Sequence, residues 1–191
     1  MRMSALRTTS ENRGGKRKTP AKKIVFVTGG ARSGKSSFAI AGALKIAGEK
    51  AFVATAEATD KEMEDRIRRH KKDRGGGWKT FEEPVAVARL IKEVDGRYPV
   101  IVVDCLTLWL ANVMMSGLDE EKETGRLAAA LRAVKRSTLF IVSNEVGMGI
   151  VPENELARRF RDAAGRLHQR VAGVADEVYV TFSGIPMKIK G

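Results

Sequence analysis

Residues 24–36 read Ile24-Val25-Phe26-Val27-Thr28-Gly29-Gly30-Ala31-Arg32-Ser33-Gly34-Lys35-Ser36. An apolar, β-rich run leads directly into a glycine loop and a helix start. Gly29 to Ser36 fits G-x-x-x-x-G-K-[ST] in full, the pattern in which backbone N–H groups surround a phosphate. In such a loop the lysine, Lys35, reaches the β- and γ-phosphates and the hydroxyl of Ser36 binds Mg²⁺. The stretch therefore predicts a nucleoside triphosphate site between a first strand and a first helix.

The rest of the chain predicts strands that alternate with helices. Apolar runs predict strands at 51–56, 100–104 and 139–143, and a closing hairpin between 177 and 189. Helices are expected at 35–47, 59–74, 84–94, 106–115, 127–134 and 156–174, with a polar, mobile loop at 116–125; 78–83 fits a strand or a loop. This alternation predicts an α/β fold, a mostly parallel sheet with helices on both faces and ligand at the carboxyl ends of the strands.

Composition limits the size and the compartment of the protein. A chain of 191 residues suits one α/β domain, placed here at 24–191. The single cysteine, Cys105, excludes an internal disulfide framework and fits a reducing cytoplasm. No apolar run approaches the roughly 20 residues of a membrane span, so we expect no membrane segment.

Charge is concentrated in the first 23 residues. They hold eight basic residues and one acid, so they contribute +7 of the net +12, and the rest of the chain carries +5. Residues 1–23 are polar and aperiodic, and we interpret them as a disordered basic tail. A solubilising arm is favoured over a nucleic-acid contact, although a basic arm can bind polyanions weakly.

Two further residues fit chemistry at a nucleotide. Asp104 ends a buried apolar run, where its carboxylate can bind Mg²⁺ beside Ser36. His70 lies among six cations within nine residues (Arg66, Arg68, Arg69, Lys71, Lys72, Arg74), which favour the neutral, nucleophilic imidazole. A neutral imidazole can attack an α-phosphorus and displace pyrophosphate. On spacing alone, a solvated basic helix face with an incidental histidine is the stronger interpretation.

The sequence after the later strands disfavours one class of nucleotide-binding protein, the regulatory GTPases. A regulatory GTPase needs a guanine-reading [NT]-K-x-D segment, and the corresponding place holds Ser143-Asn144-Glu145-Val146. The loop that follows, with Gly147 and Gly149, fits a substrate-side loop at the ligand edge of the sheet. The second histidine, His168, lies in the middle of a predicted helix, and we expect it to be structural.

Several separate blocks give the chain a family resemblance. Beyond the glycine loop they are Ala54-Thr55-Ala56 with Glu62-Met63 and Arg66-Ile67, His70 to Arg74 with Trp78, Asp104-Cys105-Leu106-Thr107, Ser143 to Asn154, and Ser183-Gly184-Ile185-Pro186. In this order, from Ile24 to Lys190, they resemble the bifunctional adenosylcobinamide kinase/adenosylcobinamide-phosphate guanylyltransferases of cobalamin biosynthesis. The glycine loop is common to many families, whereas the Asn-Glu-Val-Gly-Met-Gly-Ile-Val-Pro block is far more specific.

The resemblance implies a fold, two reactions and a set of site residues. The fold is a three-layer P-loop NTPase (RecA-like) domain, assembled as a homotrimer. ATP or GTP phosphorylates adenosylcobinamide, and GTP then transfers GMP to adenosylcobinamide phosphate through a guanylylated histidine. His70 matches the nucleophile. The matching nucleotide contacts are Gly29, Gly30, Ala31, Arg32, Ser33, Gly34, Lys35, Ser36, Ala54, Thr55, Ala56, Lys71, Lys72, Asp73, Arg74, Glu82 and Asp104.

Two other functions stay open at this point. One is a P-loop small-molecule kinase without nucleotidyl transfer, which would release no pyrophosphate from GTP. The other is a RecA-like nucleotide-binding module that uses its basic arm on nucleic acid.

Overall fold

The computed structural model describes residues 22–57, Lys61, Asp65, Arg68, Lys71 and 74–191. The predicted basic tail lies outside the described residues except for Lys22 and Lys23. Most of the helix predicted at 59–74 also lies outside them; its described residues, Lys61, Asp65, Arg68, Lys71 and Arg74, are helical.

Seven strands form one sheet, as the alternation of elements predicts. They are β1 (Lys23–Gly29), β2 (Lys50–Ala54), β3 (Trp78–Glu82), β4 (Val100–Asp104), β5 (Thr138–Val142), β6 (Glu177–Phe182) and β7 (Ile185–Lys190). Their order in the sheet is β3-β2-β4-β5-β1-β6-β7. Pairings among β1 to β6 are parallel, and β7 pairs antiparallel with β6 as the predicted C-terminal hairpin.

Helices cover both faces of the sheet. They are α1 (Lys35–Leu44), α2 (Val87–Val94), α3 (Leu106–Met115), α4 (Glu120–Ala133) and α5 (Glu155–Val174). Helix α1 packs on one face against Phe52, Val102 and Phe140. Helices α2 to α5 pack on the opposite face, around the fully buried Trp109 and Leu131. Strands covered on both faces read as continuous apolar runs, which is why their positions are clear in the sequence.

The prediction for residues 116–134 is wrong in part: the helix expected at 127–134 is confirmed, but it begins earlier than predicted. A helix begins at Glu120, where a mobile loop was expected, and continues to Ala133. The Asp119 side chain accepts hydrogen bonds from the backbone N–H groups of Glu121 and Lys122 and so caps the helix. Acidic residues in the first turn interact favourably with the positive end of the helix dipole. Arg159 of α5 also forms an ion pair with Glu120 at 2.9 Å. The cap, the dipole and the ion pair thus stabilise a helix where the polar composition alone favours a loop.

Smaller differences concern element ends. Strand β1 begins at Lys23, which pairs with Glu177 at 2.9 Å, so this residue belongs to the sheet and not to the tail. Helix α1 ends at Leu44 rather than near 47, and α2 begins at Val87 rather than at 84. Residues 78–82 are a strand, because they pair in parallel with β2. Among the described residues, no helix has the length and apolarity to cross a membrane.

Candidate active site

The glycine loop lies where the sequence predicts it, between β1 and α1. Gly34 and Arg32 have left-handed backbone conformations, with φ of 96° and 55°. The Ser33 N–H donates to the Gly30 carbonyl at 3.3 Å and closes a tight turn. A Cβ at Gly29 would lie 2.4 Å from the Thr181 carbonyl oxygen, so neighbouring backbone requires glycine there. The loop therefore has the compact form that brings backbone N–H groups around an anion.

Lys35 is buried in this loop, with 6% of its surface exposed. Its Nζ donates to the Gly30 carbonyl oxygen and, at 3.4 Å, to Ser33 Oγ. The ammonium group is thus folded over the loop. Because a buried ammonium group requires compensating charge or hydrogen bonds, this position favours the arrival of an anion.

A cavity of about 340 Å³ opens beside the loop, at the carboxyl ends of the parallel strands. This volume falls in the range of small-molecule sites. Residues from five parts of the chain line it: Arg32, Ser33, Gly34, Lys35, Ser36, Ser37, Phe52, Ala54, Ala56, Lys71, Arg74, Asp104, Cys105, Leu108 and Asn144. Ten of these are predicted nucleotide contacts. Their cations outnumber the one carboxylate, so the cavity suits a polyphosphate.

Arg74 is a buried cation at the wall of this cavity. Its guanidinium carbon lies 3.7 Å from the centre of the Phe52 ring, and Nη2 donates to Thr80 Oγ1 at 3.3 Å. Burial lowers the pKa of Arg74 from its ordinary value, while the nearby Asp104 carboxylate opposes that shift. Arginine remains charged in proteins, so a fixed cation faces the cavity.

Lys71 and Glu82, both predicted nucleotide contacts, form an ion pair with each other. Lys71 Nζ donates to Glu82 Oε1 at 2.6 Å. The hydrogen bond from Lys71 and its positive charge lower the pKa of the Glu82 carboxyl. Glu82 is exposed and does not line the cavity, whereas Lys71 does. The carboxylate thus links β3 to the segment that carries Lys71.

Thr55 supports the site from beneath. It is fully buried and absent from the cavity lining, unlike its neighbours Ala54 and Ala56. Its Oγ1 donates to the Cys105 carbonyl oxygen and accepts from the Cys105 N–H, both at 2.8 Å. The hydroxyl therefore fixes the backbone that follows Asp104, across from β2.

We expect Thr55→Val to destabilise the protein by about 1–3 kcal/mol, because the buried Cys105 N–H loses its acceptor and the Cys105 C=O keeps only the Trp109 N–H as donor. The free energy of unfolding, measured by denaturant titration, checks this. Thr55→Ser keeps the hydroxyl and is the matched control, expected to be closer to wild type. Equal stability of the valine variant and wild type would contradict the supporting role.

Five lining residues were absent from the predicted nucleotide contacts: Phe52, Ser37, Cys105, Leu108 and Asn144. Phe52 lies two residues before Ala54 in β2, so both side chains are on the same face of the strand. Strand periodicity could therefore have identified Phe52. Ser37, Cys105 and Leu108 follow predicted contacts closely in the sequence, yet only the fold places them at the cavity.

Burial raises the pKa of the Cys105 thiol, and the Asp104 charge raises it further. Cys105 is therefore a neutral thiol and a poor nucleophile at neutral pH.

Asn144 joins the cavity from the loop after β5, the loop predicted to be substrate-side. Its N–H donates to Thr107 Oγ1 at 3.2 Å. The flanking Ser143 and Glu145 contact His168 instead: Ser143 Oγ lies 2.7 Å from His168 Nε2, and Glu145 Oε2 lies 3.5 Å from Nδ1. Burial lowers the pKa of His168, against the opposing charge of Glu145. His168 thus packs beneath the loop and does not line the cavity.

Several predicted site residues are not brought to the cavity lining. Gly29, Gly30 and Ala31 belong to the phosphate-binding loop but do not line the cavity. His70, Lys72 and Asp73 lie outside the described residues, and their roles remain predictions.

Comparisons with known proteins agree with this geometry. The solved structures of the flagellar accessory protein FlaH from Methanocaldococcus jannaschii and of the RadB recombinase have similar folds. FlaH gives a TM-score of 0.50 at 14% identity, covering 90% of this chain and 79% of that one. RadB gives 0.51 at 15% identity, covering 84% and 74%. The fold and the glycine loop therefore define a protein with the RecA-like P-loop fold, as predicted.

Sequence comparison identifies the family. The model described as CobU, cobinamide kinase / cobinamide phosphate guanyltransferase, matches residues 25–189, and the chain belongs to this family. The bifunctional adenosylcobalamin biosynthesis protein CobP of Pseudomonas aeruginosa is 40% identical over 168 residues, 87% of this chain and 96% of the relative. The corresponding protein CobU of Salmonella typhimurium is 40% identical over 181 residues, 87% of this chain and 99% of the relative.

Proposed function

We propose that this chain catalyses two successive transfers to a corrinoid. It phosphorylates adenosylcobinamide with ATP or GTP, and it then transfers GMP from GTP to adenosylcobinamide phosphate. The observation that carries the proposal is that separate family blocks, the P-loop, Ala54 and Ala56, Lys71 and Arg74, and Asp104, converge on one cavity. Membership of the cobinamide kinase / cobinamide phosphate guanyltransferase family supports both activities.

In the kinase step, the aminopropanol hydroxyl of the corrinoid attacks the γ-phosphorus, and the nucleoside diphosphate leaves. The backbone N–H groups of the loop and Lys35 bind the phosphates and stabilise the charge on the oxygen atoms during transfer. Lys71 and Arg74 add positive charge on the facing wall. Positioning and electrostatics account for the chemistry of this step, because the protein forms no covalent bond in it.

In the guanylyl step, we assign the nucleophile to His70. A neutral imidazole nitrogen attacks the α-phosphorus of GTP, a P–N bond forms, and pyrophosphate leaves. A phosphate oxygen of adenosylcobinamide phosphate then attacks the same phosphorus, the P–N bond breaks, and adenosylcobinamide-GDP is released. His70 directly precedes Lys71, whose side chain lines the cavity.

We propose Mg²⁺ as the cofactor, with Ser36 and Asp104 as the residues that hold it. Both line the cavity, Ser36 at the end of the phosphate loop and Asp104 at the end of β4. Magnesium is commonly bound by one or two carboxylates together with phosphate oxygens and water, and a hydroxyl and a carboxylate fit this donor set. When bound, the ion neutralises phosphate charge.

The assembly and location also remain proposals. We propose a homotrimer, as the family resemblance implies, with the exposed apolar side chains of the C-terminal hairpin as one contact surface. Phe182, Ile185 and Met187 are each at least half exposed there, which is unusual for large apolar groups on a free surface. We place the protein in the cytoplasm, because its single thiol suits a reducing compartment.

A product assay tests the two transfers together. With adenosylcobinamide, GTP and Mg²⁺, mass spectrometry should detect first a product one phosphoryl group heavier and then adenosylcobinamide-GDP with pyrophosphate. Omission of Mg²⁺ by chelation should stop both steps. Phosphorylated product without pyrophosphate would support a simple kinase instead, and no corrinoid product would contradict the proposal.

A further inference from the structure

Thr181 lies on β6 beside the phosphate-binding loop and has no role in the function assigned above. It is fully buried and pairs in register with Gly29, the first residue of the loop. Its Oγ1 lies 3.3 Å from the Thr28 carbonyl oxygen and 2.6 Å from Ser33 Oγ. One hydroxyl from the C-terminal hairpin therefore contacts the chain both where it enters the loop and near its end.

These contacts form one continuous chain of hydrogen-bonding groups. Either hydroxyl can donate across the 2.6 Å contact between Ser33 and Thr181, because each has one proton and two lone pairs. In both arrangements Ser33 Oγ keeps a lone pair to accept from Lys35 Nζ at 3.4 Å. The chain therefore connects Lys35 to Ser33, Thr181 and the Thr28 carbonyl oxygen.

The turn of the same hairpin contacts the loop a second time. The Gly184 N–H donates to the Ser33 carbonyl oxygen at 3.0 Å. A Cβ added at Gly34 would lie 3.1 Å from Gly184 Cα, so the two segments are in close contact. Ser33 is thus held by the hairpin through both its side chain and its backbone.

We propose that Thr181 is a positioning residue for nucleotide binding, which fixes Ser33 and, through it, Lys35 in the conformation that accepts the triphosphate. The inference rests on the proposed function only in taking the loop as the triphosphate site. Polar groups of a binding site must be held by their own supporting hydrogen bonds, and Thr181 supplies such a bond from outside the loop. It contacts no substrate.

The test compares Thr181→Val with Thr181→Ser in the full-length protein. Valine keeps the shape and removes the hydroxyl, whereas serine keeps the hydroxyl. We expect the Kd of a fluorescent GTP analogue to rise about 5- to 20-fold in the valine variant, as for loss of a buried hydrogen bond, and to stay within about twofold of wild type in the serine variant. The KM for adenosylcobinamide should be unchanged in both. Valine binding the analogue as tightly as wild type would overturn the inference.

If the valine variant is unstable, Ser33→Ala alone keeps the test decisive, since it should raise the Kd of the analogue by a similar factor; if the valine variant is stable, a double-mutant cycle tests the route through Ser33. Ser33→Ala removes the other end of the 2.6 Å contact. If Thr181 acts through Ser33, the double variant should bind no more weakly than the weaker single variant, whereas additive losses would contradict this route. Failure of the wild-type protein to bind the analogue would contradict the proposed function itself, a separate outcome from unchanged binding in the valine variant.

Discussion

The His70→Ala variant should lose guanylyl transfer, by about 10⁴-fold or more, while it retains kinase activity within a few-fold of wild type. Removal of a covalent nucleophile abolishes the route through the intermediate, and losses of this order follow when nucleophiles of other enzymes are removed. Phosphoryl transfer to adenosylcobinamide needs no group on the protein to form a bond. The measurement is product formation from GTP, with the phosphorylated corrinoid and the guanylylated corrinoid separated by mass.

The sequence supplies a matched control, because it contains one other histidine. His168 packs beneath the loop after β5, at hydrogen-bond distance from Ser143, and does not line the cavity. With GTP labelled in the α-phosphate, wild type and His168→Asn should acquire acid-labile, base-stable label, and His70→Ala should not. Label retained on the alanine variant would exclude His70 as the nucleophile.

The second large effect is expected from Lys35→Met. The substitution keeps the length of the side chain and removes the charge that reaches the β- and γ-phosphates. Because a fixed cation in a partly desolvated site stabilises the transferring phosphoryl group strongly, kcat/KM for adenosylcobinamide phosphorylation should fall about 10²- to 10³-fold. This kcat/KM is measured by steady-state kinetics in which the GTP concentration is varied and the phosphorylated corrinoid is quantified.

The control for this variant is Lys45→Met, an exposed lysine just beyond the end of α1. It has the same change of charge on the same part of the chain and should leave kcat/KM unchanged. A decrease of equal size in both variants would point to a general loss of positive charge. A decrease below tenfold in Lys35→Met alone would contradict direct contact with the phosphates.

The fold was largely predictable because its central strands, β1, β2, β4 and β5, are buried on both faces. Short continuous apolar runs such as Val100–Asp104 are typical of buried strands. The P-loop motif in turn fixes where the first strand ends and the first helix begins. The first turns of the helix at Glu120–Ala133 were not predicted, since their stability comes from the Asp119 cap and from ion pairs to α5. An ion pair between residues that are distant in sequence cannot be predicted from either segment alone, whereas apolar periodicity can be recognised within one segment.

The site was predictable where its residues follow strand ends and carry recognisable chemistry. Lys35 and Asp104 were found in this way, and both line the cavity. The role of Thr55 was not, because a threonine that binds backbone and one that binds ligand have the same sequence signature. Glu82 likewise pairs with Lys71 and remains outside the lining. Side-chain direction and partner choice depend on packing that only the folded structure supplies.

The central claim is that one triphosphate binds in the loop between β1 and α1. A crystal structure of the protein with a non-hydrolysable GTP analogue and Mg²⁺ tests it most directly. The β- and γ-phosphates should lie within hydrogen-bond distance of the loop N–H groups and of Lys35 Nζ, with the His70 imidazole facing the α-phosphorus. An analogue bound away from the loop, or His70 directed away from it in every subunit, would contradict this account.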